Sequence, residues 1–536
     1  MFATAQTEED RVAQPLRMSQ GLVAYLAVTT AVCGALVMVI EVVGSRVIGP
    51  FFGVSLVVWT ALITVTLVSL GLGYAAGGLL ADRKASPDVL YGLVGLAGAA
   101  VLLVPFLQAP VLRSAMPLGL RSGALLGSLV LFGPSLFLLG CVPPFVVKLA
   151  ATELRRLGRT VGLFSALSTF GSFAGTLATG YLLIGHLAVS RIFLLVGASL
   201  LALAALYFVV FRGKRWAMAL VLLPVLTVRN EGLTSKVMAN GTTVTEVARH
   251  QGFYGTVQVL EYSYGAARTR ELVIDGLVQG GVEVASGLSI YDYAYFLEQL
   301  PYGMNNRGRS CLVIGLGAGL VPAWYGARGV RTDVVDINPD VVRVAREHFG
   351  FRPTGDVVLA DARYYLAQPG RRYDYVILDV FTGDTTPSHL LSREALSLVR
   401  SRLEDGGLLA VNLAGTFGSR SFMTASVVRT FEQVFESVQV YPLFSPEEPD
   451  AFGNMVLVAR NGPPLAFDPS KVSGFPVHSL ARPIVERFLG RPYQLPPDMR
   501  AMVLTDDWNP IDVADNWLKE RVRAEILRAT DWDILL

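Results

Sequence analysis

The stretch CLVIGLGAGL, residues 311–320, with TDVVDINPD at 332–340, decides the fold. Cys311 to Ile314 form an unbroken apolar run, the pattern of a parallel strand buried on both faces. Glycines at 315, 317 and 319 then make a tight turn in which the backbone can come close to a ligand. PAWYGARG reads as a helix, TDVVDI as a second strand and NPDVVRVAREHF as a second helix. Asp336 closes that second strand, 21 residues beyond Gly315, where a carboxylate can accept from both hydroxyls of a ribose. Loop, strand and terminal acid together predict a Rossmann-like α/β domain that binds a nucleoside. The glycines follow G-x-G-x-G, not the dinucleotide G-x-G-x-x-G. That spacing suits a nucleoside sulfonium better than a pyrophosphate resting on a helix N-terminus.

Two more strand ends carry acids. Val357–Leu359 leads to Asp361 and Ala362, placed to meet an adenine amino group, and Tyr375–Leu378 leads to Asp379. A helix cap is the plainer reading of either acid. The loop FTGDTTPSH that follows adds Asp384 and His389. An amine attacking a carbon beside a sulfonium must lose a proton, and a nearby carboxylate can take it while holding the cation. The sulfonium already activates its leaving group, so alignment, desolvation and negative charge remain for the protein to supply. Asp379 is the candidate base, with Asp384 as a further carboxylate. His389 fits a base, an orienting donor or the cap of a helix over 391–400. With five scattered histidines, no metal is expected. Cys33, Cys141 and Cys311 read as small apolar fillers, not a disulfide or metal set.

The first 230 residues carry most of the chain's apolar excess, which gives a mean hydropathy of +0.49 and 52% hydrophobic residues. Runs at 20–40, 54–76, 88–109, 123–147, 160–184 and 188–211 are each long enough to cross about 30 Å of hydrocarbon. Six spans are expected. The stretch 216–228 is too short for a comfortable crossing and reads as half-buried, interfacial or re-entrant. Basic residues gather at 11, 17, 83, 84, 148, 155, 156, 159, 212, 214 and 215; the alternate loops hold 46, 113, 121 and 191. The positive-inside rule therefore puts the N-terminus in the cytoplasm, and with six spans the C-terminal domain as well. A bacterial inner-membrane protein with no cleaved signal peptide is the expectation. Gly73 with Gly77, and Gly171 with Gly175, are small-xxx-small pairs that let helices approach closely in lipid. Glu41, Arg46, Lys148 and His186 lie near run ends, where reaching the interface costs little; Glu41, behind an unbroken apolar stretch, is the exception. A net charge of +2 with no basic stripe beyond these loops argues against nucleic acid.

Between the halves, TTVTEVARH, YGTVQVLEYSYG and TRELVIDG alternate and turn like hairpin strands. The expected organisation is a tail over 1–18, a helical bundle over 19–230, a small antiparallel β domain over 231–285, the nucleoside domain over 286–460 and a helical extension over 461–536. That extension holds LTDDWNPID and an amphipathic tail whose apolar side needs a cover, either the domain itself or a second copy in a homodimer.

These motifs resemble the spermidine synthase family, the polyamine aminopropyltransferases, and more closely a bacterial branch fused to a multi-span membrane region. EVVGSRVIGPFFG, FYGTVQVLE, LVIDGLVQ, VIGLGAG, VVDINPDVV, DARYYL, YDYVILDVFTGD and PSHLLSREA carry the resemblance. It implies a hairpin domain followed by a methyltransferase-type Rossmann fold. It also implies nucleoside contacts from Gly315, Gly317, Asp336, Asp361 and Ala362, a catalytic Asp379, the family Tyr at Tyr254 and the family Gln at Gln279. The chain departs from the pattern at Gly255, where the family has Gln. It departs again at Ser289-Ile290, Tyr295 and Thr382, where the family has carboxylates. A dicationic polyamine wants several such acids.

The expected function is a transferase using S-adenosylmethionine or its decarboxylated form as substrate and moving an aminopropyl or similar alkyl group. The acceptor would be a polyamine or a lipid headgroup at the bilayer. Methyl transfer, or a non-catalytic nucleoside sensor that regulates the bundle, are the competing readings.

Overall fold

An apolar run packed among other apolar runs can satisfy its peptide groups only within its own segment, so the first half folds as long helices. In a computed structural model these are α1 (Gln20–Phe52), α2 (Leu56–Arg83), α3 (Pro87–Ala115), α4 (Gly119–Gly140), α5 (Val142–Ala150), α6 (Leu157–Ala178) and α7 (Val189–Val210). The structure describes residues 19–53, 55–151, 157–226, 234–381, 386–448, 450–514 and 516–529. Contacts divide the chain into two units. One is Met1–Val47, Thr60–Ala115 and Ala124–Asn230; the other is Ile48–Trp59, Met116–Gly123 and Glu231–Leu536.

Among the described residues, five helical stretches are long and apolar enough to cross a membrane. One of them, Pro87–Ala150, has 64 residues, about three times what a single crossing takes. It contains both runs expected at 88–109 and 123–147. The second of these is broken at Cys141, where α5 begins with Val142-Pro143-Pro144. The short stretch after α7 forms a 3-10 helix, Arg215–Leu222, then one helical turn, Leu223–Leu226.

Glycine sets the helix spacing in the first unit. A side chain at Gly171 would run into the carbonyl of Ala31, and one at Gly175 into that of Ala35. Ser172 Oγ donates to Gly34 O at 3.0 Å across the same seam. We expect Gly171→Val to cost more than about 3 kcal/mol, as overpacking against rigid backbone does. The check is the yield of monodisperse protein in detergent, with Gly78→Val, where a Cβ would meet nothing within 4 Å, as control.

Glu41 corrects the expectation that the ionisable residues lie at run ends. α1 continues to Phe52, so Glu41 and Arg46 are inside the helix, and Glu41 hydrogen-bonds the side chain of Thr66 on α2. Lys148 pairs with Asp82 at 2.8 Å, both exposed. Asp88, at the start of α3, accepts from Tyr207 Oη at 2.5 Å and from both ends of the Arg212 fork, which ties α3 to the end of α7.

In the second unit, five antiparallel strands lie in chain order: β1 (Ser235–Val237), β2 (Thr243–Gly252), β3 (Gly255–Tyr264), β4 (Ala267–Ile274) and β5 (Leu277–Glu283). Helix α8 (Asp292–Met304) follows. A seven-stranded sheet then forms from β6 (Ser310–Ile314), β7 (Arg331–Asp336), β8 (Val357–Leu359), β9 (Tyr373–Leu378), β10 (Leu403–Thr416), β11 (Ser437–Pro442) and β12 (Phe452–Arg460). Its order is β11-β12-β10-β9-β6-β7-β8. The strands from β10 to β8 are parallel, and β12 runs antiparallel to β10 and β11. The helices between them are α9 (Leu320–Gly326), α10 (Pro339–His348), α11 (Ala362–Ala367), α12 (Arg393–Ser401) and α13 (Phe422–Val434).

This is the Rossmann-like methyltransferase arrangement. Its order reverses between β6 and β9, and in open α/β sheets the ligand crevice lies at the strand ends of such a switch point. Alternate residues serve opposite cores. Val313, Ile377 and Ala410 bury with α8, while Leu312, Leu378 and Val411 bury with residues of α12 and α13.

Candidate active site

β6 ends in the glycine loop because each glycine meets a different demand. Gly315 has φ +89°, and its N–H donates to Val335 O at 2.9 Å. A side chain there would collide with the carbonyl of Asp379. Gly319 has φ +79° and packs under Phe351. Gly317, at φ +53°, has room for a Cβ, 3.5 Å from Gln279 O. Its requirement is therefore the backbone conformation alone.

Asp336 holds this loop. Its Oδ2 accepts Leu316 N and its Oδ1 accepts Asn338 N, both at 2.8 Å. Burial raises its pKa above the ordinary value, against those backbone donors. The residue expected to meet the ribose is thus also the loop's anchor, accepting backbone N–H groups of Leu316, Asn338 and Ile337. Asn338 caps α10 through Asp340 N at 3.0 Å, with Pro339 in the first turn, the preferred pairing at a helix start.

Asp361 takes the cap role: Oδ1 accepts Tyr364 N at 2.9 Å at the start of α11. Ala362 is the first residue of that helix. Ile337 and Leu359, at the ends of neighbouring strands, leave 42% and 55% of their surface exposed. Leu359 pairs with Asp336 at the strand ends. The sequence reading missed Ile337 and Leu359, although a large apolar residue after a strand-end acid is a usable signal.

Asp379 follows β9, and its N–H donates to Ile314 O at 2.9 Å. Burial pushes its carboxyl up to about 6, against the Asn412 amide, whose Nδ2 donates to Oδ1 at 2.9 Å. Asn412 is buried, and among the described residues its own Oδ1 has no partner. The register pairs Val411 with Leu378, so Asn412 comes beside Asp379 through parallel pairing alone. Asn412→Leu removes the donor that lowers the Asp379 pKa. The acid limb of any activity that needs ionised Asp379 is expected to move above about 6, which a pH–rate profile would read.

Tyr293 of α8 donates to Gln279 O at 2.9 Å. Burial, then Asp379, Asp292 and Glu298, push its phenol well above the ordinary value, so it stays neutral. Gln279 thus contributes its carbonyl to the loop region; its side-chain Nε2 reaches Leu277 O at 3.4 Å. Ser289 and Tyr295, in the places of family carboxylates, close on each other. Ser289 Oγ donates to Tyr291 O, and Tyr295 Oη donates to Ser289 O at 2.7 Å.

One expectation is revised. The helix expected over 391–400 begins at Arg393 and is capped by Ser392 through Ala395 N, so His389 is not its cap. Its ring lies 3.9 Å from Asp361 Oδ2. Tyr254 sits at the β2–β3 turn with 47% of its surface exposed. Gly255 beside it has φ +114°, and a side chain there would strike Asp275. Asp384 lies outside the described residues. Among the described residues no group of three His, Cys, Asp or Glu could hold a metal.

The sheet order and glycine loop define the class: a Rossmann-like domain of methyltransferase type. No family model matches the chain. An N-terminal histidine N-methyltransferase of Emericella nidulans is 31% identical over 191 residues, 34% of this chain and 32% of that one. A polyamine aminopropyltransferase of Vibrio vulnificus is 34% identical over 119 residues, 21% and 40% of the two chains. Polyamine aminopropyltransferase 2 of Pseudomonas aeruginosa is 31% identical over 183 residues, 32% and 51%. Over these stretches the chain is similar to polyamine aminopropyltransferases, the spermidine synthases. It spans between a third and a half of the length of these relatives.

Proposed function

We propose that this chain is a membrane-embedded transferase that passes an aminopropyl or similar alkyl group from S-adenosylmethionine, or its decarboxylated form, to an amine. The observation that carries this reading is Asp379, a carboxyl with a pKa of about 6 at the sheet's switch point, oriented by Asn412. An acid tuned there is ionised at neutral pH yet basic enough to take a proton from an ammonium-bearing acceptor. The amine loses that proton to Asp379 and its lone pair forms a bond to the carbon next to sulfur. The C–S bond breaks, its electron pair returns to sulfur, and a neutral thioether, methylthioadenosine, leaves. Neutral Tyr293 and the Gln279 backbone line the same region without adding charge.

The long apolar helices support a bilayer as the bundle's environment. Positive charge in the loops on the N-terminal side supports a cytoplasmic N-terminus. With family carboxylates replaced by Ser289 and Tyr295, the acceptor is a polyamine held by few acids or an amine-bearing lipid headgroup.

The test is to identify the sulfur nucleoside released by lipid-reconstituted protein given either donor with putrescine or phosphatidylethanolamine vesicles. Methylthioadenosine whose release depends on one acceptor is the expected result. The match to an N-methyltransferase favours a second reading, methyl transfer, which S-adenosylhomocysteine would establish instead. Ligand binding with neither product would leave a sensor.

A further inference from the structure

LTDDWNPID, residues 504–512, has no role in the chemistry above, yet it is bonded into the nucleoside side of the site. Arg393 N donates to Leu504 O at 2.8 Å. Asp506 N donates to Glu394 Oε2 at 3.0 Å, and Asn509 Nδ2 to Ser388 O at 2.7 Å. Arg363 is the hub. Its two terminal nitrogens fork onto the two oxygens of Asp506, and Nη1 also donates to His389 O at 2.8 Å and approaches Ser392 Oγ at 3.5 Å. The Arg363 guanidinium holds the Asp506 carboxyl below its ordinary range.

One guanidinium therefore joins the first turn of α11, the turn carrying His389, the cap of α12 and the C-terminal segment. Bidentate forks of this kind fix geometry as well as adding energy. Among the described residues the segment's bonds reach residues 363, 388, 393 and 394 and, through Leu504 N, Thr430 of α13. None of them reaches Asp379, Asn412 or Tyr293. The carbonyl of Asn412 is instead fixed from the other end of the same loop, by Thr386 Oγ1 at 3.2 Å.

We infer that residues 504–509 act as a strap, latched by Asp506 on Arg363, that positions the Asp361–Ala362 wall and so governs nucleoside affinity, not the chemical step. Asp506 and Arg363 are positioning residues. They act through α11, whose first turn carries both the hub and the cap. The inference rests on the proposed reading that adenine lies against Asp361 and Ala362.

The experiment compares full-length, lipid-reconstituted wild type with Asp506→Asn and Asp506→Glu, using methylthioadenosine binding by calorimetry and turnover at saturating donor. Asp507→Asn is the control, since Asp507 is exposed and takes no part in these bonds. Asp506→Asn is expected to weaken binding about tenfold, the equivalent of losing one charge-assisted contact, with kcat within about twofold. Asp506→Glu should recover part of the affinity, and Asp507→Asn should bind as wild type. Unchanged affinity in Asp506→Asn, or a fall in kcat without a fall in affinity, overturns the strap. So does an equal loss in Asp507→Asn. If wild type itself binds no methylthioadenosine, the underlying nucleoside reading fails instead.

Discussion

Asp379→Asn is expected to lower kcat by about a thousandfold, within the range that general bases contribute, while leaving the protein more resistant to heat at pH 8. The two effects have one cause. Burial pushes the Asp379 carboxyl up to about 6 from an ordinary value of 3.8. A group whose folded pKa is raised favours folding in its neutral form, fully below its unfolded pKa near 4. That advantage is lost as pH rises through about 6. Above that, ionised Asp379 costs about 3 kcal/mol, two units at ~1.4 kcal/mol each. The substituted amide oxygen still accepts from Asn412 Nδ2, so the local geometry survives. Melting of reconstituted protein should therefore favour the variant at pH 8, with the difference shrinking towards pH 4. Wild-type activity should rise with pH through a midpoint near 6. Equal melting at both pH values and a flat profile would show Asp379 to be a solvated structural acid.

What the sequence revealed about this site follows from how far each feature depends on neighbours in the chain. The glycine loop and Asp336 are 21 residues apart but lie on adjacent strands of one βαβ unit, whose geometry is fixed locally. They were legible as a set. Asp379 was legible because an apolar strand ends at it. Asn412 was not, since β10 reaches β9 only by parallel pairing across a helix, and an Asn within an apolar strand carries no local sign of its partner. The Tyr293 bond to Gln279 O joins α8 to β5 and is hidden for the same reason. Gly255 could be read as a departure from Gln, but the obstacle to a side chain there, the Asp275 carboxylate, lies in another hairpin turn. Glu41 seemed to end an apolar run because Glu and Arg lower hydropathy. The helix continues regardless, since backbone bonding does not stop at a single charge. Asp506 carries no local sign of its partner, since Arg363 lies 143 residues earlier.

Gly315→Ala is expected to abolish nucleoside binding and turnover together, and comparison with its neighbours shows why. All three loop glycines have positive φ, a conformation that costs an L-residue roughly 1–2 kcal/mol. That penalty alone would weaken a binding loop about fivefold to thirtyfold. At Gly317 little else is at stake, because a Cβ would make ordinary contact with Gln279 O at 3.5 Å. Gly317→Asn, a residue that tolerates this backbone, should retain measurable binding. At Gly319 the obstacle is the Phe351 side chain at 2.8 Å, which can shift in part. At Gly315 the obstacle is the main chain of Asp379 itself, and Asp379 N is bonded to Ile314 O at 2.9 Å. A methyl group there must move either the loop away from the crevice or the base away from its Asn412 partner. Binding should fall by more than about a hundredfold, since strain and displacement add beyond ~2.7 kcal/mol. Residual turnover at saturating donor should fall as well, which loop strain without displacement of the base would not cause. Titration of methylthioadenosine against the Gly315→Ala, Gly317→Asn and Gly319→Ala proteins checks the order. If Gly317→Asn proved the most damaging, the loop would be limited by contact with ligand instead of by the junction of β6 with β9.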